Sequence, residues 1–230
     1  MNPNIAIAIL LITFVLLIMI KCPITFSMII STAFTMLYIQ VPVMTLVQQM
    51  SKQLNSFSLL AIPFFILMGE IMAAGGISSR LLAFANVCVG QITGGLAHVN
   101  VLASMLFGGI SGSAIADVSS LGALEIPMME EAGYEKDFSI AVTVASSCQG
   151  LIIPPSHNMV LYSMVAGGVS VGSLFCAGYI PGIMLGVFIM GMCYIISKKK
   201  HYPKGKKLPF KEALRVTKDT FFAMLAMVII

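Results

Sequence analysis

Charge is what this 230-residue sequence has least of: Asp, Glu, Lys and Arg make up 10% of it, against about 25% in a soluble domain. No charged residue occurs from Leu81 to Ala116, nor from Phe138 to Ser197. With 58% hydrophobic residues and a mean hydropathy of +0.99, these gaps exclude a soluble domain of useful size. No phosphate-binding Gly-rich loop followed by Lys is present, which removes the nucleotide-hydrolysis reading. Cys22, Cys88, Cys148, Cys176 and Cys193 are scattered with no Cys-x-x-Cys pair, so they read as small apolar packing residues rather than a zinc site or disulfide frame. Tryptophan is absent, while 18 methionines suit helix packing. The first twenty residues lack both a basic leader and a small-x-small cleavage site, so they read as a retained span.

What is present is an all-α polytopic membrane protein, because a bilayer core takes about 20 apolar residues per helical crossing. Apolar runs cover about Ile5–Ile20, Ile24–Val43, Phe57–Ala74 and Val171–Ile196, with an amphipathic interval at Met44–Ser56. Leu81–Gly95 is only moderately apolar and suits a helix along the membrane surface. His98–Pro127 is two short arms about a polar tip, and Phe138–Val169 is one span broken near Pro154-Pro155. Nine of the 13 Lys and Arg lie between Lys198 and Lys218, which marks a cytoplasmic anchor rather than a nucleic-acid patch. With Lys198–Lys207 cytoplasmic, Glu130–Asp137 and Arg80 are cytoplasmic too. The His98–Pro127 segment must then re-enter the side it left, and the N-terminus is periplasmic.

Two interruptions carry the chemistry. Gly108–Asp117 reads Gly-Gly-Ile-Ser-Gly-Ser-Ala-Ile-Ala-Asp, and Ser146–Ser156 reads Ser-Ser-Cys-Gln-Gly-Leu-Ile-Ile-Pro-Pro-Ser. Irregular backbone at membrane depth survives only where protein or water covers it, and paired breaks mark a transporter's site. A hard cation such as sodium takes oxygen ligands. Ser111, Gly112 and Ser113 on one break and Ser146, Ser147 and Gly150 on the other supply hydroxyls and freed carbonyls, with Ser147 and Gly150 taken as the ion's ligands, while Pro154 and Pro155 leave upstream carbonyls unpaired. The competing reading of such clusters is close helix–helix packing. Among the acids, Asp117 is expected to cap the helix that follows the tip, with direct ligation of the ion as the other reading. Glu70 is expected to pair with Arg80 or Lys136, and Glu125 to sit at the cytoplasmic rim. His98 and His157 are expected to be packed or hydrogen-bonded.

Ser58-Leu-Leu-Ala-Ile-Pro-Phe-Phe65 with Gly69-Glu70, Gly75-Gly-Ile-Ser-Ser-Arg80, Ser111-Gly-Ser-Ala-Ile-Ala-Asp117, Ile152-Ile-Pro-Pro-Ser156 and Ala177-Gly-Tyr-Ile-Pro-Gly182 together resemble the large membrane subunit of tripartite ATP-independent periplasmic (TRAP) transporters. The resemblance runs from about Lys21 to Pro203. It implies the first inverted repeat of an ion-transporter-superfamily-like elevator fold, with a re-entrant hairpin and a broken transmembrane helix. Residues 1–80 would be scaffold helices, 81–97 an arm-like surface helix, 98–169 the transport-type region, 170–197 a transmembrane helix, 198–220 the basic loop and amphipathic helix, and 221–230 the start of another span. Family members are about twice as long, so the chain is expected to be one half that neither transports nor holds a binding protein by itself. The implied function is sodium-coupled uptake of an organic acid, such as a C4-dicarboxylate, sialic acid or another sugar acid, across the bacterial inner membrane. A periplasmic binding protein would deliver it, and a small membrane subunit would be the second partner. Ser111, Ser113, Pro155 and Ser156 would meet the substrate. Sodium is the coupling ion, no other cofactor is implied, and no enzyme activity is expected. A channel or an intramembrane hydrolase built on Gly109-Ile-Ser111-Gly112 are the alternatives.

Overall fold

A computed structural model describes residues 2–54, 57–205 and 209–229. All helices and no strands occur among these residues, apart from one isolated bridge between Thr93 and Lys204. Parts of three expected features, Asn55–Ser56 of the amphipathic interval, Lys206–Lys207 of the basic loop and Ile230 of the last apolar run, lie outside the described residues.

The chain divides into two compact units, residues 1–57 and 58–230. In the first, α1 (Pro3–Met19) and α2 (Ile24–Tyr38) pack on each other, and α3 (Met44–Leu54) follows. Pro23, which cannot continue a helix, stands just before α2. Ser27, Ser31 and Thr35 recur every fourth residue along the buried side of α2. Their hydroxyls donate back to the carbonyls of Pro23, Met28 and Ser31 at 3.2, 3.1 and 2.8 Å, which satisfies them without a partner helix.

The second unit is built around α6 (Gly95–Ser111), which is buried on nearly every side. A helix with apolar residues on more than one side belongs in such a place, and its buried polar residues His98, Asn100 and Ser104 are hydrogen-bonded. Val99, Ala103, Phe107 and Ile110 on one side pack with Leu81, Leu82 and Ala85 of α5 (Ile77–Val89). Ala97 and Val101 on another side pack with Met129, Val142, Cys193 and Tyr202. Before α5 comes α4 (Phe57–Ala74). The chain bends by 72° between residues 62–72 and 77–89, through Gly75 and Gly76, and Gly76 takes φ +73°.

After α6 the chain reverses at Gly112 into α7 (Ala114–Ser120) and α8 (Gly122–Glu131). Leu121 and Met129 pack beside α6, and Met129 lies near the residues where α6 began. The two arms expected about the polar tip are therefore a closed helical hairpin. Next come α9 (Lys136–Ser147), a 3-10 turn at Cys148–Leu151, an irregular stretch, α10 (His157–Ala166), α11 (Val171–Lys200) and α12 (Phe210–Ile229). The break expected at Pro154-Pro155 is present and wider than two residues.

Among the described residues, α11 is the one unbroken helix long and apolar enough to cross a bilayer, and residues 62–72 with 77–89 pass together as a bent pair. The apolar helices α1, α2 and α6 have 15 to 17 residues, about 23–26 Å at 1.5 Å per residue.

Candidate functional site at the hairpin tip

The site begins as a contact between two parallel stretches of chain, α6 and α9 with its continuation. Asn100 Nδ2 donates to Thr143 Oγ1 at 2.7 Å. One turn on, Ser104 Oγ donates to Ser146 Oγ at 3.1 Å. Ser146 Oγ in turn lies 2.8 Å from Asn100 Oδ1 and 3.0 Å from the Thr143 carbonyl, of which its single proton can reach one. All four side chains are buried. Of this polar ladder only Ser146 was singled out from the sequence. Its signal is polar residues at helical spacing, 100 and 104 on one helix, 139, 143 and 146 on the other.

The same register carries on without side chains. A Cβ placed on Gly108 would lie 2.6 Å from Gly150 Cα, and one on Gly112 would lie 2.5 Å from the Pro155 carbonyl oxygen and 3.4 Å from His157 Nδ1. Glycine here is a matter of space, and at Gly112 also of conformation, since φ is +60°. The hairpin tip and the second break thus touch backbone to backbone. Gly150 approaches Gly108 and the Ser113 carbonyl, and Pro155–Ser156 approach Gly112. Among the described residues no backbone N–H donates to the Pro155 carbonyl.

The second break is seated from the other side by α11. Gly178, Gly182 and Gly186 recur every fourth residue and are all buried. Cβ atoms there would fall 2.5 Å from the Ile152 carbonyl, 2.4 Å from Ile153 Cγ1 and 2.6 Å from Gln149 Oε1.

Each expected site residue has a definite place. Ser111 is buried, and its hydroxyl spans the tip, 3.4 Å from both the Ser113 nitrogen and the Ser113 carbonyl. Ser113 Oγ accepts from Ala116 N–H at 3.4 Å and is the N-cap of α7. Ser156 Oγ donates to the Leu151 carbonyl at 2.8 Å and closes the break on itself. Ser147 departs from expectation. It donates to the Val144 carbonyl at 2.8 Å, and of the two serines expected to face the tip it is Ser146 that turns to α6.

Asp117 does not cap α7, because Ser113 holds that position and Asp117 sits a turn inside. It is buried beside Ser104, and with that hydroxyl turned to Ser146 neither of its oxygens has a hydrogen-bond partner among the described residues. Glu125 is the second such acid. It is equally buried and unpartnered, with Asp117 as its charged neighbour. The return arm α7–α8 lies against α9, so both acids face inward from it. Glu70 pairs with neither Arg80 nor Lys136 among the described residues. The bend at Gly75-Gly76 separates it from Arg80, whose carbonyl instead accepts from Thr220 Oγ1 at 3.2 Å.

Glu70 lines a cavity of about 230 Å³ together with Gly69, Ser111, Ser113, Ser119 and His157. A Cβ on Gly69 would lie 3.2 Å from Ser111 Cα, so α4 rests on the tip here. His98 is hydrogen-bonded as expected, Nδ1 to the Gly94 carbonyl at 3.0 Å. His157 takes the other expected form, packed, with Nδ1 shielded and without a hydrogen-bond partner among the described residues.

Residues 11–230 match the family described as the tripartite ATP-independent periplasmic transporter, DctM component. Over 209 residues the chain is 43% identical to the sialic acid TRAP transporter large permease protein SiaM of Vibrio cholerae, covering 90% of this chain and 49% of that protein. Over 174 residues it is 42% identical to the C4-dicarboxylate TRAP transporter large permease protein DctM of Pseudomonas aeruginosa, covering 76% and 40%. It is 40% identical over 221 residues to the uncharacterized protein YgiK of Salmonella typhimurium, covering 95% and 51%. The chain thus spans about half the length of these relatives.

Proposed function

This chain belongs to the DctM component family of tripartite ATP-independent periplasmic transporters, and we propose that it supplies one half of the permease site through which a sodium gradient drives uptake of an organic acid. It is a transporter component and not an enzyme, which sets aside the intramembrane-hydrolase alternative. Relatives named for sialic acid, C4-dicarboxylates and isethionate share a negatively charged substrate. We extend that class, an organic anion, to this chain. A periplasmic binding protein and a small membrane subunit are the proposed partners, in the inner membrane.

The observation that carries the proposal is the contact of two broken backbones. Gly112 meets Pro155–Ser156 while Gly108 meets Gly150. Oxygen donors suit sodium, and a helix that unwinds frees its carbonyls for that purpose. Ser111, Gly112 and Ser113 from the tip, with Gly150 and the Pro155 carbonyl from the break, are the oxygens this half offers. Ser147 is the weakest member of the set, because its hydroxyl is engaged on its own helix. The substrate side of the same contact is formed by Ser111, Ser113, Pro155 and Ser156, with the cavity that Glu70 and His157 line.

Uptake of a labelled organic acid by the assembled transporter in liposomes tests this, with sodium as the varied quantity. Ser113→Ala should raise the sodium concentration for half-maximal uptake. An unchanged sodium dependence for both Ser111→Ala and Ser113→Ala would remove these hydroxyls from the ion's ligands.

A further inference from the structure

At the end of α6 away from the tip, three connections meet. The Gly94 N–H donates to the Pro203 carbonyl at 3.2 Å and the Gly205 N–H to the Gly90 carbonyl at 3.1 Å, on either side of the Thr93–Lys204 bridge. Tyr202 stacks on Tyr134 with ring centroids 4.4 Å apart, and Lys200 is ion-paired with Glu135. The basic loop is thereby stitched to the connections before α6 and before α9.

These connections enclose a cavity of about 360 Å³ walled by Leu96, Ala132, Tyr134, Pro203 and Lys204. Three features of its wall favour an anion. Lys204 is its charged residue, no carboxylate lines it, and Lys204 is in no ion pair among the described residues. The first turn of α6 opens there. Its N-cap is Gly94, which has no side chain to bond the first N–H groups, and those of Gly95 and Leu96 find no backbone acceptor among the described residues. Such a terminus attracts negative charge. Tyr134 is 4% exposed, its hydroxyl oxygen faces the N–H groups of Leu96 and Ala97, and its own proton has no acceptor among the described residues.

We propose that this cavity seats the phosphate of an anionic phospholipid, with Lys204 and the first turn of α6 binding the phosphate and Leu96, Ala132 and Pro203 covering the glycerol end. The apolar share of the wall favours a lipid over free phosphate, whose whole surface is polar. Lys198, Lys199 and Lys200 precede the site, and a basic run at a membrane surface draws anionic lipid. The assignment rests on the membrane reading above but not on transport. Bound lipid fixed to Lys204 would tie α11 and the base of the hairpin to one leaflet.

The test is lipid retention by the 230-residue chain in detergent, read by native mass spectrometry, with phosphatidylglycerol and phosphatidylcholine offered in equal amounts. One phosphatidylglycerol should be held preferentially. Lys204→Gln should weaken that retention about fivefold, and Lys204→Arg should restore it. Ala132→Phe, which fills the cavity and keeps the charge, should weaken it too, whereas Lys211→Gln, at an exposed position of α12, should not. Melting temperatures in phosphatidylcholine alone show whether each variant is folded. Equal retention by Lys204→Gln and the parent overturns the proposal. So does an equal loss with Lys211→Gln, which would mean diffuse surface charge. If millimolar inorganic phosphate displaces the lipid through Lys204, the site takes free anions and the lipid assignment fails. Failure of sodium-driven uptake would leave these readings untouched.

Discussion

Tyr134 shows how much a single buried side chain reports here. Its hydroxyl is shielded and its proton has no acceptor among the described residues, and burial pushes its pKa up to about 12, from an ordinary value of about 10. The unfolded chain gives up this proton first as pH rises, and the folded chain keeps it longer. Stability is therefore fully present below about pH 10 and is lost between about pH 10 and 12. Alkaline unfolding followed by circular dichroism should show that loss in the parent and a shallower one in Tyr134→Phe. At neutral pH the same substitution should change little, since the hydroxyl proton has no acceptor among the described residues to lose. Gly112 is the opposite kind of residue, fixed by what it lacks. Gly112→Val combines a positive φ with a contact 2.5 Å from the Pro155 carbonyl, and should abolish uptake where Ser113→Ala only shifts its sodium dependence.

Between elements, the second break is held by surfaces that have almost no side chain. The glycines of α11 admit Ile152 and Ile153 to the helix backbone. Gly182→Leu should push that segment off α11 and lower both thermal stability and uptake, whereas Gly191→Leu on the same helix, with nothing within 4 Å, should do neither. The ladder between α6 and α9 predicts a smaller effect. Hydrogen bonds between membrane helices average about 0.6 kcal/mol, and Asn100→Leu removes one from Thr143 and one from Ser146. A loss of about 1 kcal/mol, measured by chemical unfolding in micelles, is expected. No loss would mean that the hydroxyls re-pair within α9.

For the whole molecule, the testable statement is the side from which the hairpin enters. Met129 returns to the neighbourhood of Ala97 and Val101, so both ends of the hairpin lie together. With the basic loop cytoplasmic, single cysteines replacing Leu102 and Leu124 in a cysteine-free background should both react with an impermeant thiol reagent from the cytoplasmic side. Labelling of one position only from each side would mean a simple crossing.

The sequence by itself determined the class, the helices and the two breaks. Long intervals without charge, Gly-Ser-Gly-Ser spacing and Pro154-Pro155 act locally, through solvation and allowed backbone angles, so they are legible along one dimension. It also put Gly112 and Gly150 on facing breaks, because both sit where backbone must be exposed. Only the tertiary structure decided which neighbour each polar group meets. Ser146 rather than Ser147 faces α6, because the phase of α9 at its last turn depends on how the helix packs. Ser113 rather than Asp117 caps α7, because the turn at Gly112 starts that helix early. Glu70 and Arg80 are ten residues apart in a sequence that bends at Gly75-Gly76, and the 72° bend carries them to different surroundings. Partners of this kind are set by packing between segments 40 residues or more apart, as Asn100 and Ser146 are, and nothing local encodes that register.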